Sequence, residues 1–151
     1  MKVIHIEWKG PFKIDKAKSK NGKEDHGVYQ IYGNHPVYGS QVLLYIGKAV
    51  DQTYGERINQ DERIWLFDKD FWPIEIYFGQ VGESETGMKK EILIDLVEKL
   101  LIYSHQPACN SSNICSIPDK NIEELHILNW DVRRDLLPEV SGERWSSKYD
   151  D

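Results

Sequence analysis

Two short phrases, Gly27-Val28-Tyr29 and Tyr45-Ile46-Gly47, each place a phenol close to a glycine in an apolar, strand-like stretch. Lys48 follows the second phrase directly, and Arg57 lies a few residues further on. Glu98 sits in a long segment of periodic apolar residues, and Asn110 comes after Pro107. A phenol titrates near pH 10, so either tyrosine needs a nearby cation or metal-bound water to serve as a base at neutral pH. The planar fork of Arg57 suits a phosphate and stays charged at any relevant pH. Lys48 could point at the same anion or depress a tyrosine pKa. Glu98 has Ile94, Leu101 and Ile102 as its helical neighbours, and a carboxylate ringed by apolar side chains needs compensation. A hard Mg²⁺ ion would supply it, since it takes oxygen ligands and often only one or two protein carboxylates.

Each of these residues has a plainer alternative. The tyrosines can be strand packing beside bend-permitting glycines. Arg57 can be an exposed helix arginine, and Asn110 an ordinary residue of a post-helix loop. Glu91, Asp95 and Glu98, spaced i, i+4 and i+7, can form a solvated acidic stripe.

The elements that must position them follow from periodicity and turn chemistry. Val3 to Trp8 reads as a first strand, and residues 9–26 as a long loop rich in lysine and glycine. Gly27 to Tyr32 and Val42 to Gly47 are short apolar strands joined by the turn residues Asn34, Pro36, Gly39 and Ser40. Asp51 to Thr53 can cap a helix from Tyr54 to about Phe67, and Pro73 to Val81 alternates as a third core strand. The clearest helix runs from Glu85 to about Ser104, with Met88, Ile92, Leu93, Leu96, Val97, Leu100 and Leu101 on one face. Pro107 stops it. Leu125 to Trp130 completes the strands, and the polar segment from Ser141 is expected to be loosely ordered. The order predicts one α+β domain over residues 1–140, with 141–151 as a polar tail.

Taken in order, these residues resemble the GIY-YIG nuclease family. GVY stands for the first phrase, and YIG is intact. The stretch LVEKLLIYSHQPACN is similar to the family's closing motif, in which a glutamate precedes a Leu-Ile pair and then a Pro and an Asn. The resemblance spans about residues 27–110. It implies a small central antiparallel sheet flanked by helices, and an endonuclease that hydrolyses phosphodiester bonds in DNA with one Mg²⁺ (or Mn²⁺) ion held by Glu98. Tyr29 and Tyr45 would line the site and one of them, Tyr29 by preference, would activate water. Asn110 would hold the site by hydrogen bonds.

One position departs from the family. Many members carry a His or Tyr four residues after the helix arginine, and here that residue is Asp61. An anion there cannot stabilise a developing negative phosphate, although it could bind the metal, pair with Arg57 or accept a proton. His26, directly before Gly27, is a candidate replacement. The departure keeps open a catalytically weak or inactive GIY-YIG-like domain that binds nucleic acid or a protein partner.

Charge and composition limit the partners. The formal net charge of -6 opposes a generally basic nucleic-acid binder. Between Lys9 and Lys23, however, six lysines face one acid, Asp15. Lys13, Lys16, Lys18, Lys20 and Lys23 would therefore form a backbone-binding arm if a phosphate-cleaving site lies beside them. Cys109 and Cys115 lack the companions a zinc site requires, and read as reduced thiols. No apolar run is long enough to span a bilayer, and the first ten residues do not form a signal peptide. The expectation is a cytoplasmic monomer or homodimer with no membrane partner.

Overall fold

The computed structural model describes residues 1–82, 87–116 and 119–145. Its centre is a six-stranded mixed sheet. Strands β1 (Lys2–Phe12), β2 (Gly27–His35), β3 (Gly39–Ala49), β4 (Glu75–Val81), β5 (Leu125–Asp131) and β6 (Glu139–Ser141) are ordered β3-β2-β4-β1-β5-β6. The β2–β3, β2–β4, β1–β4 and β5–β6 pairs are antiparallel, whereas β1 and β5 run parallel. The α+β class holds, with a larger sheet than the small antiparallel one expected. The parallel pair arises because the chain crosses over between distant β1 and β5, a pairing that local turn signals do not reveal.

Both faces of the sheet are covered. Helix α4 (Lys90–His105) buries Leu93, Ile94, Leu96, Val97, Leu100, Leu101 and Ile102 against Ile4, Ile6, Trp8, Val28, Ile46, Leu125 and Ile127. Ile92, expected on this buried face, is half exposed, while Ile94 and Ile102 are inside. Part of the predicted helix start, at residues 85–86, lies outside the described residues; within them the helix begins at Lys90. It ends at Gln106 in a left-handed conformation just before Pro107. None of the described helices is long and apolar enough to cross a membrane.

The opposite face holds Tyr29, Ile31, Leu44, Tyr45, Ile76 and Phe78 beneath α1 (Ile14–Lys18), α2 (Tyr54–Gln60) and α3 (Glu62–Asp70). Thr53 caps α2, its side chain accepting the Glu56 N–H at 3.2 Å. The single helix predicted over 54–67 is two helices. Asp61, with extended backbone at ψ 102, ends α2 and caps α3, where its Oδ1 accepts the Arg63 N–H at 3.1 Å. Aspartate competes for backbone donors in this way, and here the cap outweighs continuation of the helix.

The predicted 9–26 loop is partly regular, with β1 continuing to Phe12 and α1 following it. This segment is tied to α2: the Lys20 carbonyl accepts the Gly55 N–H at 2.9 Å, and the Asp25 carbonyl accepts the Tyr54 N–H at 2.8 Å. The C-terminal segment is also more ordered than expected up to Trp145. Val140 enters the core, and the Trp145 indole meets Tyr103 edge-on at 4.9 Å. The rest of the predicted tail, 146–151, lies outside the described residues.

Two glycines are dictated by neighbouring tyrosines. Gly47 stands opposite Tyr29 in the β2–β3 ladder, and a Cβ there would overlap the Tyr29 ring and hydroxyl. Gly27, at φ +148°, gives room to the Tyr54 hydroxyl, which donates to the Gly79 carbonyl at 2.8 Å. Gly47→Ala should destabilise the protein by about 1–3 kcal/mol through overpacking. Urea denaturation should show the lower midpoint, and the deficit should shrink when Tyr29→Phe removes the hydroxyl.

Candidate active site at the β3 edge

Strand alternation divides the motif residues between the two faces of β3. Tyr45 and Gly47 face the α2–α3 layer, while Ile46 and Lys48 face α4. Because β3 is the last strand of the sheet, the two groups of side chains can meet around its edge. Asn110 holds that edge. Its Oδ1 accepts the Ile46 N–H at 3.0 Å and its Nδ2 donates to the Ile46 carbonyl at 3.0 Å. Ala108 and Cys109 extend the cover, donating their N–H groups to the carbonyls of Leu43 and Leu44. Asn110 thus replaces a neighbouring strand for the central residue of YIG, which satisfies backbone groups that an open edge leaves unpaired.

On the α2–α3 side, the rings of Tyr29 and Tyr45 lie 6.2 Å apart. Tyr29 is fully buried, and its hydroxyl makes no well-aligned hydrogen bond among the described residues. Burial drives its pKa far above the ordinary phenol value, reinforced by Tyr45 and only partly opposed by the nearby Arg57 guanidinium. The Nε of Arg57 is likewise buried with no well-aligned partner, its guanidinium lying beside the Tyr29 hydroxyl. Burial also raises the Tyr45 pKa, against the opposing charge of Arg63.

Asp61 explains much of this arrangement. Its side chain is only 5% exposed, and it lies 4.0 Å from Nη2 of Arg57. Arg63 grips it more closely, with Nε to Oδ1 at 3.0 Å and Nη2 to Oδ2 at 3.1 Å. The simple i,i+4 helix pair expected for Asp61 and Arg57 is therefore the weaker of its two contacts. Arg63 also lies over the Tyr45 ring, 4.7 Å from its centroid. Helical periodicity does not single this arginine out, because six residues after Arg57 on an unbroken helix it would point elsewhere. The local signal for it is Asp61 followed by Glu62, a cap and an acidic first turn inside a helical stretch.

On the α4 side, Lys48 donates to Asp95 and lies 3.3 Å from Glu98 Oε2. The Glu98 side chain is 12% exposed. Burial raises its pKa, while Lys48 pulls the other way. Asp95 has the opposite outcome: burial would raise its pKa, but hydrogen bonds from Lys48 and Lys99 bring it below the ordinary value. Asp95 is thus tied into the site rather than left on a solvated stripe, whereas Glu91 is exposed. Lys48 supplies a compensating cation for Glu98 from within the chain. Glu98 interacts electrostatically with both Tyr45 and Arg57, which links the two sides of the edge.

Among the described residues, no cluster of three or more His, Cys, Asp or Glu side chains is arranged to hold a metal ion. Glu98 fits an ion bound through one protein carboxylate, the remaining positions going to water and substrate oxygens, only if the competing Lys48 ammonium, 3.3 Å away, shifts onto Asp95. His26 points its Nδ1 to the Gln52 carbonyl at 2.8 Å, anchoring the approach to α2.

The lysines of the expected arm flank the same layer. Lys13, Lys16, Lys18 and Lys23 are exposed, whereas Lys20 stacks over Phe12 at 4.7 Å. Lys13 and Lys18 line a cleft of about 510 Å³ that reaches Asp61 and includes the exposed Trp65 and Trp72. Asp15, Glu62 and Asp68 line it too, so the lysines there are not unopposed.

No family model, no curated protein and no solved structure matches this chain.

A buried group held against its own solvation preference weakens the fold that carries it. Glu98→Gln and Tyr29→Phe should therefore each leave the thermal midpoint at or above that of the wild type. For Glu98 the sign follows from its raised folded pKa: protonation favours the folded state, and the unfavourable contribution grows as pH rises towards and through the raised value. Carbon-13 NMR of the Glu98 carboxyl should show titration above the ordinary glutamate range. Lys48→Met should move that titration higher still, and a downward move would contradict the assigned role of Lys48.

Proposed function

We propose that this chain is a divalent-metal-dependent endonuclease that hydrolyses phosphodiester bonds in DNA. The observation that carries the reading is the meeting of Tyr29, Tyr45, Arg57 and the Lys48–Glu98 pair at the edge of β3, with Asn110 fixing that edge. These side chains come from four separate elements and a loop. Phosphodiester hydrolysis needs an oriented water, neutralisation of phosphate charge, and stabilisation of the departing oxygen.

The residues divide those tasks. Arg57, whose side chain is 33% exposed, binds a non-bridging phosphate oxygen through the exposed part of its guanidinium. The Tyr29 hydroxyl orients the attacking water, and it can take the water's proton only as a phenolate, after releasing its own proton to solvent under the influence of Arg57 and a bound cation. Glu98 would hold Mg²⁺ or Mn²⁺, which when bound supplies charge neutralisation and makes water more acidic. Lys48 remains on Asp95 when Glu98 is engaged, close to the phosphate and able to donate a proton to the leaving oxygen. Lys13, Lys16, Lys18 and Lys23 offer charge to the neighbouring DNA backbone. The reading includes a cytoplasmic location.

One observation favours a second reading, a weak or inactive domain that binds nucleic acid or a protein. The Lys48 ammonium already offsets the Glu98 charge, and both tyrosine pKa values are raised. Nicking of supercoiled plasmid separates the two. Cleavage should require Mg²⁺ or Mn²⁺ and should disappear, by more than about a hundredfold, in both Glu98→Ala and Arg57→Ala. Binding without cleavage by the wild type would select the second reading. Replacing Lys13, Lys16, Lys18 and Lys23 with glutamine should weaken DNA binding for all sequences. It should also flatten the salt dependence, by about one unit of slope for each phosphate that is no longer neutralised.

A further inference from the structure

We infer that Arg63 is a second ligand for the substrate phosphate, and that Asp61 is the residue that positions it. The inference rests on the nuclease reading and adds to that site a residue outside the motif set. Three attachments fix the Arg63 side chain and its backbone. Nε and Nη2 are held by the two oxygens of Asp61 at 3.0 and 3.1 Å. The guanidinium lies over the Tyr45 ring at 4.7 Å. The Arg63 backbone N–H binds the same Asp61 carboxylate at 3.1 Å. A fork gripped side-on in this way keeps Nη1 as a free donor pair, and no described residue accepts a hydrogen bond from it. The side chain is 46% exposed, so that pair can meet a ligand.

Charge and geometry favour this role over an incidental surface ion pair. Exposed pairs seldom fix a side chain strongly, but Asp61 is buried and is committed to the α3 cap, so it cannot swing away. With both oxygens of Asp61 engaged by Arg63, its carboxylate is not free to hold a metal ion. The cluster of Arg57, Asp61 and Arg63 carries a net positive charge beside Tyr45. The anion expected to oppose a phosphate instead aims a cation at it.

The test measures binding of a labelled DNA duplex by fluorescence anisotropy without divalent metal, and nicking kinetics with Mg²⁺. Removing Arg63 alone leaves a buried carboxylate underpaired, so the Asp61→Asn/Arg63→Gln double variant is measured beside Arg63→Ala. Asparagine caps a helix as well as aspartate does, so this double variant should keep the wild-type fold by circular dichroism. It should bind DNA about tenfold more weakly, the drop expected for one charge-assisted hydrogen bond. Arg63→Lys, which retains the charge without the fork, should recover part of that affinity.

Asp61→Asn gives the sharpest sign. If Asp61 only repels phosphate, its neutralisation strengthens DNA binding; if it positions Arg63, binding weakens and KM rises. Tighter binding by Asp61→Asn, or wild-type affinity in the double variant, overturns the inference. A wild type that binds but never cuts removes the endonuclease reading and leaves the Arg63 assignment to the affinity data. A wild type that neither binds nor cuts overturns both.

Discussion

The constraint on which the candidate site depends is the pairing of Tyr29 with Gly47 across β2 and β3. The Tyr29 ring occupies the space above Gly47 that any side chain would fill. That contact explains why the two phrases belong together although other residues separate them. It also places the buried hydroxyl of Tyr29 next to Arg57, on the face where α2 and α3 close over the strand. A larger residue at 47 would push the phenol away and disturb the pairing of the edge strand at once. The glycine permits the site, and the ladder fixes its position.

The edge needs its own support, since β3 has a partner on one side only. Asn110 provides it with two hydrogen bonds to a single residue, Ile46. Its amide presents a donor and an acceptor side by side, as a peptide group does, so it can end the sheet where no strand continues. Gly47 and Lys48 come immediately after the point it fixes. The loop after α4 therefore acts on the site through the backbone of β3, a contribution distinct from contact with substrate.

Much of this is legible in the sequence. The paired strands, the α4 helix and its stop before Pro107, and the Thr53 cap all follow from local pattern. What is not legible depends on long-range or competing local terms. The β1–β5 parallel pair joins strands far apart in sequence, without a turn signal between them. Asp61 sits in a run of good helix formers, and its capping preference breaks a helix that periodicity alone would extend. That break brings Arg63 to Tyr45, so a helix drawn straight through Asp61 also hides the arginine. Similarly, periodicity puts Asp95 on a solvated stripe because it does not show that Lys48 approaches from β3.

The electrostatics follow one rule on both sides of the edge. Each buried carboxylate is offset by a cation, Asp61 by its sequence neighbours Arg63 and Arg57, Glu98 by Lys48 from a different element. Pairing of this kind lowers the desolvation penalty without removing it. The Tyr29 hydroxyl and the Arg57 Nε, both without well-formed hydrogen bonds, are buried on the side where the arginines gather. Tyr29 and Arg57 lie beside each other, but their contact is too poorly aligned to satisfy either group fully. A ligand offering both an acceptor oxygen and a polar hydrogen would satisfy them together, and a hydrated phosphodiester is such a ligand. The penalty that the fold tolerates here has the shape of the substrate class it is proposed to bind.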